Sequence, residues 1–330
     1  MPASNVNWAA NPLTRLLPFY PGQWGVRGSD SKLGLRTHTD GVVYYVNPNH
    51  PDCNDSADGT NPDQPLVTVA AALTRCLPFR GDVIAVMANN AWQYGTALDG
   101  YRLPIEENVI IDVPGVRLVG ISPASSTGVV WQPATNAGTC ITVHALDVTI
   151  EGFLFTEGSK AGANAIAGVW DGMTAWGDNL TIRNCMFDDT IDTAISLDYV
   201  WYGNIHHNVF WECDAYGIYV VQPGSGVANL IISDNVFHDV VTSAMSLVEC
   251  SKSHIYGNSI YNSTALSANV ATNMGINTTS GAENQVYDNY FSCVLPAAAN
   301  GDWNDLNTSV ATDAWINNHC VNGPNVTRPT

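Results

Sequence analysis

Five segments decide the fold: TIRNCMF (181–187), NIHHNVF (204–210), IISDNVF (231–237), HIYGNSI (254–260) and QVYDNYF (285–291). Their second positions form one apolar column, Ile182, Ile205, Ile232, Ile255 and Val286. Their seventh positions form another, Phe187, Phe210, Phe237, Ile260 and Phe291. An earlier copy, TIEGFLF (149–155), places Ile150 and Phe155 in the same columns. A further strand follows, marked by Ile195, Ile218, Met245 and Ile276, and the bare unit is 23 residues. Longer rungs, such as the 32 residues from Ile150 to Ile182, are this unit with loops inserted. Short alternating apolar runs mark strands with one face inward. A fixed period with insertions at set corners marks a solenoid. Twenty-three residues are too few for a four-stranded propeller blade, and suffice for one coil of a parallel β-helix. The class is therefore all-β, with like residues stacked about 4.8 Å apart on successive coils.

The fifth position carries Asn208, Asn235, Asn258 and Asn289. Side-chain amides at one bend can bond to the coils above and below, so this column predicts a structural ladder. Phe153 and Cys185 hold the position in earlier coils, so the ladder is expected to begin at Asn208.

The chain has 330 residues, only 12 of them Lys or Arg, and a net charge of −18. That balance argues against nucleic acid and anionic membrane surfaces. It suits divalent cations or neutral sugars. The opening MPASNVNWAANPLTRLLPFYPG has neither a charged start nor an apolar run, so no secretory leader is expected. No stretch is long enough for membrane insertion. The eight cysteines have no CxxC spacing and are expected to be reduced and mostly buried.

Four segments follow. Residues 1–41 form an irregular arm with Trp8, Leu16, Leu17, Phe19, Tyr20 and Trp24, read as a docking arm for another subunit or as a strap over the solenoid. Residues 42–104 open and cap the solenoid, with strands at 42–46 and 82–87 and a helix near 67–77. Residues 105–323 form the β-helix, and 324–330 a short polar tail. Tyr45-Val46, Asp58-Gly59-Thr60, Pro65 with Thr68, and Gly81-Asp82 with Ile84 and Val86 resemble the opening of pectate-lyase-like right-handed parallel β-helix proteins. The resemblance implies a right-handed solenoid with a capping helix. It leaves function open, because lyases, hydrolases, epimerases, phage tailspikes and non-catalytic particle proteins share the fold. Asp52, Asp55 and Asp58 crowd the first loop and could hold Ca²⁺. Asx turns explain the same residues without metal.

Two residues past the Phe column come Asp189, Glu212 and Asp239, with Trp211 and His238 beside them and Tyr219 on the following strand. Together they suggest a carbohydrate groove, in which carboxylates accept sugar hydroxyls and ring faces stack on pyranoses. Two carboxyls on adjacent or next-but-one coils could serve as acid, base or nucleophile in glycoside hydrolysis. Turn chemistry alone would also place acids at corners. Lyase and polygalacturonase patterns are incomplete. Arg183 lacks a clear acidic trio around it, and Asp188-Asp189 lacks the accompanying Gly-His-Gly and Arg-x-Lys. Strand alternation predicts that His206 and His207 point to opposite sides.

The expected function is a non-enzymatic structural surface protein of a virus or phage particle, able to bind glycans and to form a homo-oligomer, by analogy a trimer. No cofactor is expected beyond the Ca²⁺ candidate. The alternatives are a polysaccharide lyase or glycoside hydrolase, and a secreted adhesin.

Overall fold

The computed structural model describes residues 41–87, 104–121, 129–156, 164–168, 177–188, 192–220, 226–262, 274–279, 283–293, 303–305 and 313–320. The arm residues Trp8, Leu16, Leu17, Phe19, Tyr20 and Trp24 lie outside them, as does Asp189. The fold is an all-β, right-handed parallel solenoid with three sheets. Among the described residues the Ile sheet has ten strands, from Val43–Val46 to Ala314–Ile316. The Phe sheet has nine, from Ile105–Glu106 to His319–Cys320, and a third sheet has eight, from Val109–Ile111 to Trp303–Asp305. Every strand pairs in parallel with the strand one coil away, as in Ile182 with Ile205 and Ile205 with Ile232.

The columns fill the interior. Phe155, Phe187, Phe210 and Phe237 stack with ring centroids 5.3, 4.9 and 4.4 Å apart. Their planes turn face to face along the series, at 12°, 9° and 3°. Each coil bends between the Ile and Phe sheets at a left-handed residue: Asn184, His207, Asp234, Gly257, Asp288 and Asn317. Asn, Asp and Gly are the residues that tolerate this conformation best, so the corner follows from sequence.

The amides that follow those corners form a continuous ladder. Asn208 Nδ2 donates to Asn235 Oδ1 at 3.0 Å, Asn235 Nδ2 to Asn258 Oδ1 at 3.0 Å, and Asn258 Nδ2 to Asn289 Oδ1 at 2.9 Å. Asn289 Nδ2 continues to Asn318 Oδ1 at 2.9 Å. Each amide also donates to a backbone carbonyl of the preceding coil, as Asn235 does to Ile205 at 2.9 Å. The Cys185 backbone N–H donates to Asn208 Oδ1 at 3.0 Å, so the first ladder amide also satisfies the coil before it. A second buried ladder, not anticipated from the sequence, runs along the other edge of the Ile sheet. There the Ser253 N–H donates to Asn284 Oδ1 at 3.1 Å, and the Asn284 N–H to Asp313 Oδ1 at 2.9 Å.

The opening segment carries the helix α1 (Val69–Leu73), shorter than the 67–77 expected. Thr68 is its N-cap, with Oγ1 accepting from the Ala71 N–H at 3.1 Å. The Glu107 carboxylate accepts from the Val69 and Ala70 N–H groups at 3.0 and 2.8 Å. At the other end Thr74 Oγ1 donates to the Ala71 carbonyl, and the chain turns away ahead of Pro78, which disfavours helix in the residue before it.

The calcium candidates do not converge. Asp55 Oδ1 accepts from the Val67 and Thr68 N–H groups at 2.7 and 3.1 Å, fixing the approach to α1. Asp58 closes an Asx turn on Thr60 at 2.8 Å, and Asp52 is exposed. Among the described residues no three His, Cys, Asp or Glu side chains are grouped to hold a metal. Turn and cap chemistry accounts for Asp55 and Asp58.

Candidate carbohydrate-binding face

Strands of the Phe sheet are three or four residues long in the central coils, so the residues flanking each inward Phe point outward. One outward row runs Asp188, Trp211, His238, Tyr261 in register. The other includes Val209, Val236, Ser259, Tyr290 and His319. Trp211 and His238 stack with centroids 4.0 Å apart and planes at 2°. Tyr261 meets Tyr290 at 5.7 Å, and Tyr290 meets His319 at 5.5 Å. The result is an aromatic stripe across consecutive coils, exposed at Trp211 and His319 and half-buried at His238, Tyr261 and Tyr290.

The stacking limits how Trp211 can be reached. Trp211 and His238 are neighbours along the solenoid axis, so parallel rings at 4.0 Å lie across that axis. His238 therefore covers one face of Trp211. The outward ring edges remain for contact, and Asp188 is the row neighbour on the opposite side. Tyr219 lies on the third sheet instead, stacked on Tyr216 at 4.5 Å. Ser196 and Ser246 share its row but are buried.

Two members of the predicted carboxylate column are described. Glu212 and Asp239 both occupy left-handed corners, with φ of 51° and 56°. Their N–H groups donate to the His238 and Tyr261 carbonyls of the next coil, each at 2.9 Å. Glu212 is exposed, whereas Asp239 is buried with Oδ2 lying 3.0 Å from His238 Nδ1. That pair is close but not aligned as a hydrogen bond.

The outer face of the Ile sheet holds a charged cluster that sequence reading missed. Glu151 is 1% exposed and lies between two guanidiniums. Arg117 Nη2 donates to Oε1 at 2.8 Å and Arg183 Nε to Oε2 at 2.6 Å. Arg183, the arginine weighed against the lyase pattern, is therefore engaged by a carboxylate. The next residue in its row is His206. His206 Nδ1 lies 2.8 Å from His207 Nδ1, contrary to the expected divergence. The reason is local: the strand Asn204–His206 ends there, and His207 adopts φ of 57°. Alternation holds along a strand and fails at a left-handed corner.

Burial, the neighbouring His207 ring and the Arg183 guanidinium push the His206 pKa down from 6.5 to about 4. An unfolded chain takes up this proton near pH 6.5, the folded chain only near pH 4. Between those values the unfolded state binds more protons, so stability falls as pH falls. The full contribution is on the order of 3 kcal/mol. Urea unfolding at pH 7, 5.5 and 4 is expected to show this loss, and His206→Gln to flatten it. An unchanged slope in the variant would assign the acid sensitivity elsewhere.

Three stacked parallel sheets, amide ladders and an outward aromatic stripe define a right-handed parallel β-helix protein. Within that class the chain belongs to the NosD family: the family profile described as "Periplasmic copper-binding protein (NosD)" matches residues 105–326. No curated protein matches the chain. Among solved structures it is similar to the GH136 lacto-N-biosidase from Eubacterium ramulus, with a TM-score of 0.58 and 13% identity. That alignment covers 84% of this chain and 56% of the biosidase, so the chain spans little over half of that enzyme's length. A rhamnogalacturonan lyase aligns with a TM-score of 0.42 and 11% identity, over 77% of this chain and 69% of the lyase. The Dettilon tailspike protein aligns at 0.31 and 12%, over 83% of this chain and 68% of the tailspike.

The family description raises the question of copper. The described residues supply no three-donor set. Burial pushes the thiols of Cys76, Cys185 and Cys250 up to about 12, opposing the thiolates that copper would take. A complete copper centre is therefore not built by these residues. The His206–His207 pair is the one arrangement among them with two ring nitrogens in contact.

Proposed function

We propose that this protein is a non-enzymatic solenoid on the outside of a particle or cell, and that it contacts glycans through the outward rows of the Phe sheet. The aromatic stripe of Trp211, His238, Tyr261, Tyr290 and His319 carries this reading. Aromatic edges beside exposed acids such as Glu212 suit neutral sugars, whose hydroxyls the carboxylates accept. The net charge of −18 disfavours polyanionic chains. Assembly on a phage particle, with residues 1–41 as the docking arm and a trimeric state, is part of the same proposal; the particle and the trimer rest on the resemblance to pectate-lyase-like β-helix proteins. A position outside the cytoplasm agrees with the periplasmic description of the family.

Binding to an array of neutral oligosaccharides tests the proposal. Trp211→Ala is expected to weaken binding at least tenfold, as an aromatic contact worth about 1.5 kcal/mol would, while leaving the far-ultraviolet dichroism unchanged. Equal binding by the variant, or no binding by the wild type, would remove the glycan reading. Hydrolysis is the second reading, for which Glu212 and Asp239 at the same corner of adjacent coils would be the carboxyl pair. Release of reducing sugar that Asp239→Asn abolishes would favour hydrolysis over non-enzymatic binding.

A further inference from the structure

We infer that residues 16–24 are seated, in the free protein, on the exposed turn 77–79 at the N-terminal end of the solenoid. Leu77 and Phe79 are 53% and 64% exposed, and Pro78 between them is exposed as well. Phe79 has φ of 57°, a left-handed conformation uncommon for a bulky side chain. Glycine or asparagine would make the same turn with less strain. The Phe79 N–H donates to the Pro114 carbonyl at 2.8 Å, so the backbone is pinned, and the ring has no place in the interior cluster. A ring held outward at a strained position is accounted for by a contact outside the solenoid wall.

The arm is the occupant that this position favours. Asp82 accepts from the Leu77 N–H through Oδ2 and from the Val42 N–H through Oδ1, each at 2.8 Å. One carboxylate thus fastens the turn to the root of the first strand. Gly41 lies so close to Gly81 that a Cβ there would stand 2.2 Å from the Gly81 carbonyl oxygen. Residues 1–40 therefore join the solenoid beside this turn. Their uncharged stretch LLPFYPGQW (16–24) supplies Leu16, Leu17, Phe19, Tyr20 and Trp24. Sixteen residues separate Trp24 from Gly41. A tether that short sets an effective concentration of about 1 mM, which a second copy would have to exceed to compete for the turn. Charge points the same way. Residues 1–40 hold four basic residues (Arg15, Arg27, Lys32, Arg36) and two acidic ones (Asp30, Asp40), a net +2, whereas the rest of the chain stands at −20. Arg80, the cation next to Phe79, is closed on Asp82 at 2.6 Å, and Asp112 is exposed two residues before Pro114. A partner that takes the arm has to lift it from this turn first, a consequence that rests on the docking-arm reading; the seat itself does not.

Hydrogen exchange of the full chain, read by mass spectrometry, tests the seat. Phe79→Asn keeps a residue suited to the left-handed position. Combined with Leu77→Ser, it is expected to speed exchange over residues 16–24 about fivefold, as loss of an aromatic contact would. Strands such as Asn204–His206 are expected to keep wild-type rates, which separates loss of the seat from loss of the fold. Phe19→Ser with Trp24→Ser alters only the arm and is expected to give the same gain, corrected for the change of sequence. Ile316→Ser, which removes an exposed apolar side chain at the far end of the solenoid, is expected to change nothing over 16–24. Wild-type protection is expected to be independent of protein concentration. Protection that vanishes on dilution would assign the turn to a second copy and overturn the inference. So would equal exchange over 16–24 in the wild type and both double variants.

Discussion

Replacing Asn235 by alanine is expected to destabilise the fold by about 3–5 kcal/mol, because several buried groups lose their partners at once. Asn235 is fully buried. Its Oδ1 accepts from the Asn208 N–H and from Asn208 Nδ2, each at 3.0 Å. Its Nδ2 donates to Asn258 Oδ1 at 3.0 Å and to the Ile205 carbonyl at 2.9 Å. Alanine leaves the Asn208 N–H unpaired in the wall of the solenoid and takes one bond each from the Asn208 amide, the Asn258 amide and the Ile205 carbonyl, and a buried group left short costs about 1–3 kcal/mol. The same substitution at Asn318, the half-exposed last rung, is expected to cost about 1 kcal/mol, since water can reach the abandoned groups. Denaturant unfolding of both variants measures the contrast. Equal losses would mean that the ladder contributes only one local bond per rung.

Glu151→Ala is expected to cost a similar 3–5 kcal/mol, for an electrostatic reason. The carboxylate is 1% exposed and is the shared partner of Arg117 and Arg183. Its removal leaves two guanidiniums facing each other, with Arg183 buried. A buried charge without its partner is more damaging than the absence of the whole cluster. Replacing all three residues together by Met, Leu and Met is therefore expected to recover most of the loss. If the triple variant is no more stable than Glu151→Ala, the side-chain packing matters more than the charges.

The parts of this fold that were legible in the sequence are those in which one residue type repeats down a column. The Ile, Phe and Asn columns occur every 23 to 32 residues and stack as the spacing requires. The ladder of Ser253, Asn284 and Asp313 was harder to see because three different side chains share it. Earlier coils also place Leu180, Gly203 and Leu230 at the same position. Reading two places before each Ile would have found it. The Glu151–Arg183 pair was legible too: each follows an Ile of adjacent coils, so opposite charges meet across one rung. The His206–His207 contact was not, because side-chain alternation ends with the strand at His206 and His207 turns the corner. His207 stands in a column otherwise made of Asn, Asp and Gly, and that mismatch was the available signal. The opposite holds for Glu212 and Asp239, whose corner conformation explains their alignment without invoking a shared task.

The parallel pairing of every coil has a mechanical consequence. Hydrogen bonds between coils run along the solenoid axis, while the covalent chain runs around it. A tensile load along the axis falls on coil-to-coil bonds in series, so the rod would part where one interface is weakest, shedding turns from an end. A load across the axis is carried by peptide bonds and by the filled interior. A protein built this way resists crushing better than pulling.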